Sequence, residues 1–146
     1  MNKVSSKIAM LSVLSTLTFG TIATSCSKDE ERHDEVVTTK IDEAVGTYKG
    51  KLTSPNLDDY EHFDVVMYVT KVDDQHLKVT AKTGEAYSTV TSKTFKVENL
   101  YNGDIHNVSG ILEGYFWYTK EVKTLEMGTQ KQSATDVTFY FDGVKQ

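Results

Sequence analysis

The sequence predicts an all-β protein: a small closed antiparallel β-barrel of seven to eight strands behind a signal peptide and a flexible tether. Three observations carry this reading. From about residue 44 onward, Val, Tyr, Phe, Leu and Thr recur at alternate positions, the period of a strand with one buried face. Clusters of Asp, Asn, Gly and Ser break these runs at roughly ten-residue spacing, too closely for a strand–helix–strand rhythm. Pro55 is the only proline, so few of the runs are barred from a sheet interior. These strands fit an up-and-down barrel or a sandwich, and closure is favoured because it removes exposed edges from a Thr- and Val-rich sheet.

Taken in order, the chain opens on an address. Lys3 and Lys7 precede an apolar stretch from Ile8 to Ile22, which Ser12, Ser15, Thr16 and Thr18 interrupt. A bilayer span needs roughly 20 predominantly apolar residues, so this stretch reads as a secretory signal. Small residues, Ala23-Thr24-Ser25, lead to Cys26, the only cysteine, which excludes an internal disulfide. From Ser27 to about Asp42 the chain is polar and charged, the composition of a tether. A helical suggestion over Thr39 to Ala44 is too short to stand alone.

The domain begins with Tyr48, Gly50 and Leu52 alternating with Thr47, Lys49 and Lys51, and stops at Pro55, Asn56, Asp58 and Asp59. Phe63, Val65, Met67 and Val69 then share one face, and Asp64, Val66, Tyr68 and Thr70 the other. Asp73-Asp74 turns this strand into Leu77, Val79 and Ala81. Thr83 to Lys93 is a loop or a weak edge strand. Phe95, Val97 and Asn99 follow, and Asn102-Gly103 signals a tight turn. Ile105 to Lys120 reads as one long strand with Val108, Gly110, Leu112, Gly114, Phe116 and Tyr118 inward, its glycines easing a barrel corner. Val122 to Met127 is a further strand, Gly128 to Ser133 turns back, and Val137, Phe139 and Phe141 close the barrel before Asp142-Gly143.

Two stretches carry resemblances. Ala23-Thr24-Ser25-Cys26 resembles a bacterial lipoprotein signal, and Ser27-Lys28-Asp29-Glu30-Glu31 after it resembles the surface-export signal of Bacteroidales-type lipoproteins. This implies lipidation of Cys26 and an outer-membrane, surface-exposed location, anchored by acyl chains contributing roughly 0.8 kcal/mol per buried methylene. Val45 to Leu52, Thr94 to Leu100 and Val137 to Gly143 are similar to the calycin-like (lipocalin-like) β-barrel domain of such lipoproteins. The expected layout is a signal peptide over 1–25, lipidated Cys26 and tether over 26–43, and the barrel over 44–146.

Function is read from what is missing and from one surface. The formal charge is −5, and it becomes −7 once residues 1–25, which hold Lys3 and Lys7 and no acid, are removed. With one arginine, Arg32, there is no basic stripe for nucleic acid. His33, in the tether, reads as solvated; His62, His76 and His106 lack metal-ligand spacing, and no nucleophile elbow or phosphate loop occurs, so neither enzyme activity nor a cofactor is expected. Within Tyr115-Phe116-Trp117-Tyr118, alternation turns Tyr115 and Trp117 outward, with Val66, Tyr68 and Tyr140, as a contact surface unless Lys and Glu stems cover it. Phe63, Met67, Phe95, Leu112, Phe116, Phe139 and Phe141 would fill the interior, leaving a barrel that acts through its outside.

The plan also resembles compact calycin inhibitors of metalloproteases and the potempins, surface lipoproteins that inhibit co-secreted peptidases. It implies a non-enzymatic inhibitor of a secreted peptidase; the compact inhibitors insert a free N-terminal trunk, which lipidation of Cys26 would deny this chain unless the tether reaches in sideways. The alternative is a rim loop: Ser54 to Asp59, Thr83 to Lys93, or Thr124 to Gln130 with Leu125 and Met127 filling peptidase subsites. The competing expectation is a carrier of a small apolar ligand or a glycan binder stacking on Tyr115 and Trp117.

Overall fold

The structure, a computed structural model, describes residues 40–110 and 112–146; the expected signal peptide, Cys26, Arg32, His33 and the part of the expected tether before Lys40 lie outside the described residues. Eight strands form: β1 (Gly46–Thr53), β2 (Glu61–Lys71), β3 (His76–Ala81), β4 (Lys93–Asn99), β5 (Ile105–Asn107), β6 (Gly114–Thr119), β7 (Thr124–Thr129) and β8 (Tyr140–Lys145). Each pairs antiparallel with the next, and β8 returns to β1 through Leu52↔Phe141 and Gly50↔Gly143, so the sheet is a closed up-and-down barrel. Closure leaves no continuous sheet edge to recruit another chain.

Alternation explains most of the core. Tyr48 and Leu52 of β1, Val65, Met67 and Val69 of β2, Leu77 and Val79 of β3, Phe95 and Val97 of β4 and Phe116 and Tyr118 of β6 all point inward and are buried. Phe95 meets Phe116 with ring centroids 5.7 Å apart, and Tyr48 meets Tyr118 edge-on at 6.2 Å. Each such large side chain contributes roughly 1.5–3 kcal/mol by leaving water, and together they fill the space a carried ligand would need.

Four sequence expectations are corrected. Phe63 was placed inside with Val65 and Met67, but it is 67% exposed. The β1–β2 register slips between Gly50↔Val65 and Leu52↔His62, a β-bulge in which Asp64 takes φ 55°; the extra residue reverses the phase and sends Phe63 out. Leu112 was placed inside and is 71% exposed, because Ile105 to Lys120 is two strands joined by a turn. Gly110 (φ 83°) serves that turn, not a barrel corner. Val122 lies exposed before β7, which begins at Thr124 and runs through Gly128. Asp142-Gly143 does not end the last strand but sits inside β8, whose pairing with β1 needs that backbone; Phe139 is buried just ahead of it.

The two ends of the barrel differ. Short turns (72–75, 100–104 and 120–123) close one end, and the described chain enters there through a 3-10 turn, Ile41–Ala44. Ile41, read from the sequence as tether, is buried with Ala44, and the buried Tyr48 hydroxyl donates to the Ala44 carbonyl at 2.7 Å. Burial pushes the Tyr48 phenol well above its ordinary pKa. The packed domain therefore starts at Ile41, a few residues earlier than the sequence indicated. At the opposite end stand four longer loops, 54–60, 82–92, 108–113 and 130–139.

Candidate functional site

The loop end is built around residues 130–139, which bond to all three neighbouring loops. Ser54, fully buried, donates its hydroxyl to the Thr138 carbonyl at 2.6 Å, and the Thr138 hydroxyl donates to Asn56 Oδ1 at 3.0 Å. Thr91 and Val137 exchange two bonds: Thr91 N–H donates to the Val137 carbonyl at 3.0 Å, and Val137 N–H donates to Thr91 Oγ1 at 2.9 Å. Gln130 N–H reaches the Glu113 carbonyl at 2.8 Å, which ties in loop 108–113.

The hub is Asp136. Its Oδ2 accepts from Lys93 Nζ at 2.6 Å and from Gln132 N–H at 2.9 Å, while Oδ1 accepts from the Ser133 hydroxyl at 2.9 Å. The Lys93 ammonium beside it, then those donors, hold its carboxyl well below the usual carboxylate range. Lys93 is itself buried, and its ammonium also donates to Gln132 Oε1 at 2.7 Å. Thr83 to Lys93, which the sequence left as loop or strand, is a loop that gives way to β4 at Lys93. Tyr87 and Val90 turn inward from it, and the Tyr87 hydroxyl accepts from Val66 N–H at 3.0 Å.

Exposed groups ride on this braced frame. Tyr60 and Leu112 present apolar side chains to solvent, and a shallow cleft of about 320 Å3 opens between loops 54–60 and 82–92, lined by residues including Asp58, Asp59, His62 and Thr89. The His62 ring sits edge-on to Tyr87 at 6.0 Å. His76 bonds Asp73 at 2.8 Å in the β2–β3 turn, and His106 stacks on Trp117 with centroids 3.6 Å apart, so the three histidines serve three separate places. Asp73 is the turn former its position suggested: its carboxylate accepts from Gln75 N–H at 2.8 Å and, with His76, is held below its usual pKa. Among the described residues no group of three His, Cys, Asp or Glu side chains could hold a metal ion.

The residues singled out from sequence divide sharply. Tyr115 and Trp117 stand outward on β6, half exposed, as alternation requires, and Tyr68 and Tyr140 are outward too. Leu125 and Met127 are not on a loop: they sit in β7 with inward side chains at 0% exposure, paired with Tyr118 and Gly143 and with Phe116 and Phe141. In this fold they cannot enter a peptidase subsite, and Thr124 to Thr129 is barrel wall. Ser54 to Asp59 is a loop as expected. Sequence reasoning missed Lys93 and Asp136. Ser133-x-x-Asp136 carries a local turn signal, but nothing marks a lysine 43 residues away as its buried partner. A scan against protein-family models and searches of curated proteins and solved structures return no match for this chain.

Proposed function

We propose that the chain is a surface-anchored lipoprotein of calycin-like type, lipidated at Cys26. In this reading it is a non-enzymatic recognition scaffold whose loop end docks on a protein partner, an extracellular peptidase that it inhibits. The observation that supports this reading is the cross-bracing of four loops through residues 130–139. Ordering a loop on binding costs affinity, and a surface already held by its own hydrogen bonds avoids that cost. The described chain enters at the short-turn end, so the loop end lies opposite Lys40, where the described residues begin. The packed interior argues against a carrier, since Phe95, Phe116, Met127 and Phe141 occupy the space a ligand would take.

Tyr60 and Leu112 are the apolar anchors of this surface, exposed on a rigid mount. The test is capture of secreted proteins of the source bacterium on the immobilised full chain, followed by a peptidase assay on what is retained. A retained peptidase is expected to lose activity in proportion to added chain. Tyr60→Ala with Leu112→Ala is expected to weaken that inhibition by about tenfold or more while leaving the thermal midpoint unchanged, the size expected for losing an interface anchor. Inhibition that survives both substitutions places the contact elsewhere, and a retained peptidase of undiminished activity rejects the inhibitor reading.

A further inference from the structure

The outer wall over β6, β7, β8 and β1 holds an aromatic platform that the loop end does not use. In register, Tyr115 pairs with Gly128 and Gly128 with Tyr140, so the two tyrosines stand on either side of a residue without a side chain. Their ring centroids are 6.5 Å apart with planes inclined by 37°. A Cβ on Gly128 would come within 2.5 Å of the Tyr115 ring and 2.6 Å of the Tyr140 ring. Both rings therefore lie down over the β7 backbone and floor the platform, which only a glycine permits. One step along β6, Trp117 is stacked on His106 and remains 49% exposed.

Polar groups frame the rings. Lys51, Thr53 and Asp142 line a shallow hollow of about 230 Å3 together with Tyr115, Tyr140 and Phe141; the Lys51 ammonium is paired with the Glu61 carboxylate and lies over the Phe63 ring, and of its three N–H donors that pair uses one. Glu126 lies in register between Trp117 and Asp142. Its charge, with that of Asp142, adds to burial in raising the Tyr115 phenol above its ordinary pKa.

These features select the occupant. An apolar protein face or an acyl chain laid here would strand two carboxylates away from water at a cost of several kcal/mol each. A folded partner would need about 800 Å2 on each side, far more than this hollow offers. A polyanion is repelled by Glu126 and Asp142 and by a chain of net charge −5. What remains is a neutral, ring-shaped polyol, with flat C–H faces for the tyrosines and hydroxyls to donate to carboxylates and accept from an ammonium. We propose that this wall binds a neutral oligosaccharide, its sugar faces stacked on Tyr115 and Tyr140 and its hydroxyls bonded to Asp142 and Lys51. The platform lies on the outer wall at the ends of β6, β7, β8 and β1 that border the loops, and it uses neither Tyr60 nor Leu112, so the sugar titration and the peptidase assay test different residues.

The test is titration of the full chain with cellohexaose, maltohexaose, laminarihexaose, xylohexaose and mannohexaose, read by calorimetry and by the NMR shifts of the Tyr115, Tyr140 and Trp117 rings. At least one sugar is expected to bind saturably and to move those three rings. Tyr140→Ala is expected to weaken that binding by about tenfold or more, whereas Tyr140→Phe, which keeps the stacking face, stays within about threefold of the native chain. Tyr140 is exposed, so neither substitution empties the core. The proposal is overturned if none of the sugars binds, if binding leaves the three rings unmoved, or if Tyr140→Ala binds as tightly as the native chain.

Discussion

Met127 shows at the scale of one residue how far an assignment depends on which way a strand faces. Its side chain lies between Phe116 and Phe141 in register and is excluded from water. Truncation to alanine removes that packing and leaves a cavity, and Met127→Ala is expected to lower stability by about 3 kcal/mol, measured by urea denaturation. A residue poised on a loop for a partner would cost a few tenths at most, so a near-zero change would return Met127 to the surface. Leu125 is governed by the same geometry. Tyr115 and Trp117, one position out of phase with Phe116 and Tyr118, reach solvent from the same short strand. That division was legible in the sequence because a strand has two faces and four consecutive rings cannot share one.

Among the elements, β2 is the one whose irregularity matters most. Asp64 sits at φ 55° in the bulge, a conformation that aspartate tolerates and β-branched residues resist. Asp64→Val is expected to cost about 1–2 kcal/mol, while Asp64→Gly, which accepts positive φ freely, costs clearly less; denaturant midpoints of the two variants give the comparison. Equal losses would mean that the Lys49–Asp64 ion pair, 3.0 Å long but well exposed, matters more than the backbone. The bulge is why the alternation from Phe63 to Val69 read correctly over Val65, Met67 and Val69 and failed at Phe63. Between β5 and β6 a different irregularity defeated the pattern. Only two residue pairs join these strands, and Asn107 Oδ1 accepts the Phe116 N–H at 2.8 Å in place of a backbone carbonyl.

Over the whole molecule, the loop end is tied to the barrel through a charge pair that acid can break. The Asp136 carboxyl is held below its ordinary pKa in the folded chain, so its contribution to stability is complete above the unfolded carboxylate range near pH 4. It is lost as pH falls from there through the folded value, when protonation leaves the buried Lys93 ammonium without its counter-charge. Asp136→Asn is expected to be the less stable chain at pH 7 and to close the gap as pH drops below about 4, read as thermal midpoint against pH. Curves that stay parallel would show that the pair carries no pH-dependent stability.

The sequence by itself determined the class of the fold, its short strands and most of its turns, because period-two alternation and the turn chemistry of Asp, Asn and Gly act within a few residues. It determined the outward tyrosines and tryptophan for the same reason. The tertiary structure alone decided that Phe63 and Leu112 face solvent, that Leu125 and Met127 belong to the core, and that Lys93 and Asp136 meet although they stand 43 positions apart in the chain. Each depends on the register between strands or on contacts between distant segments. A change of register by one residue exchanges the two faces of a strand without altering a single local preference.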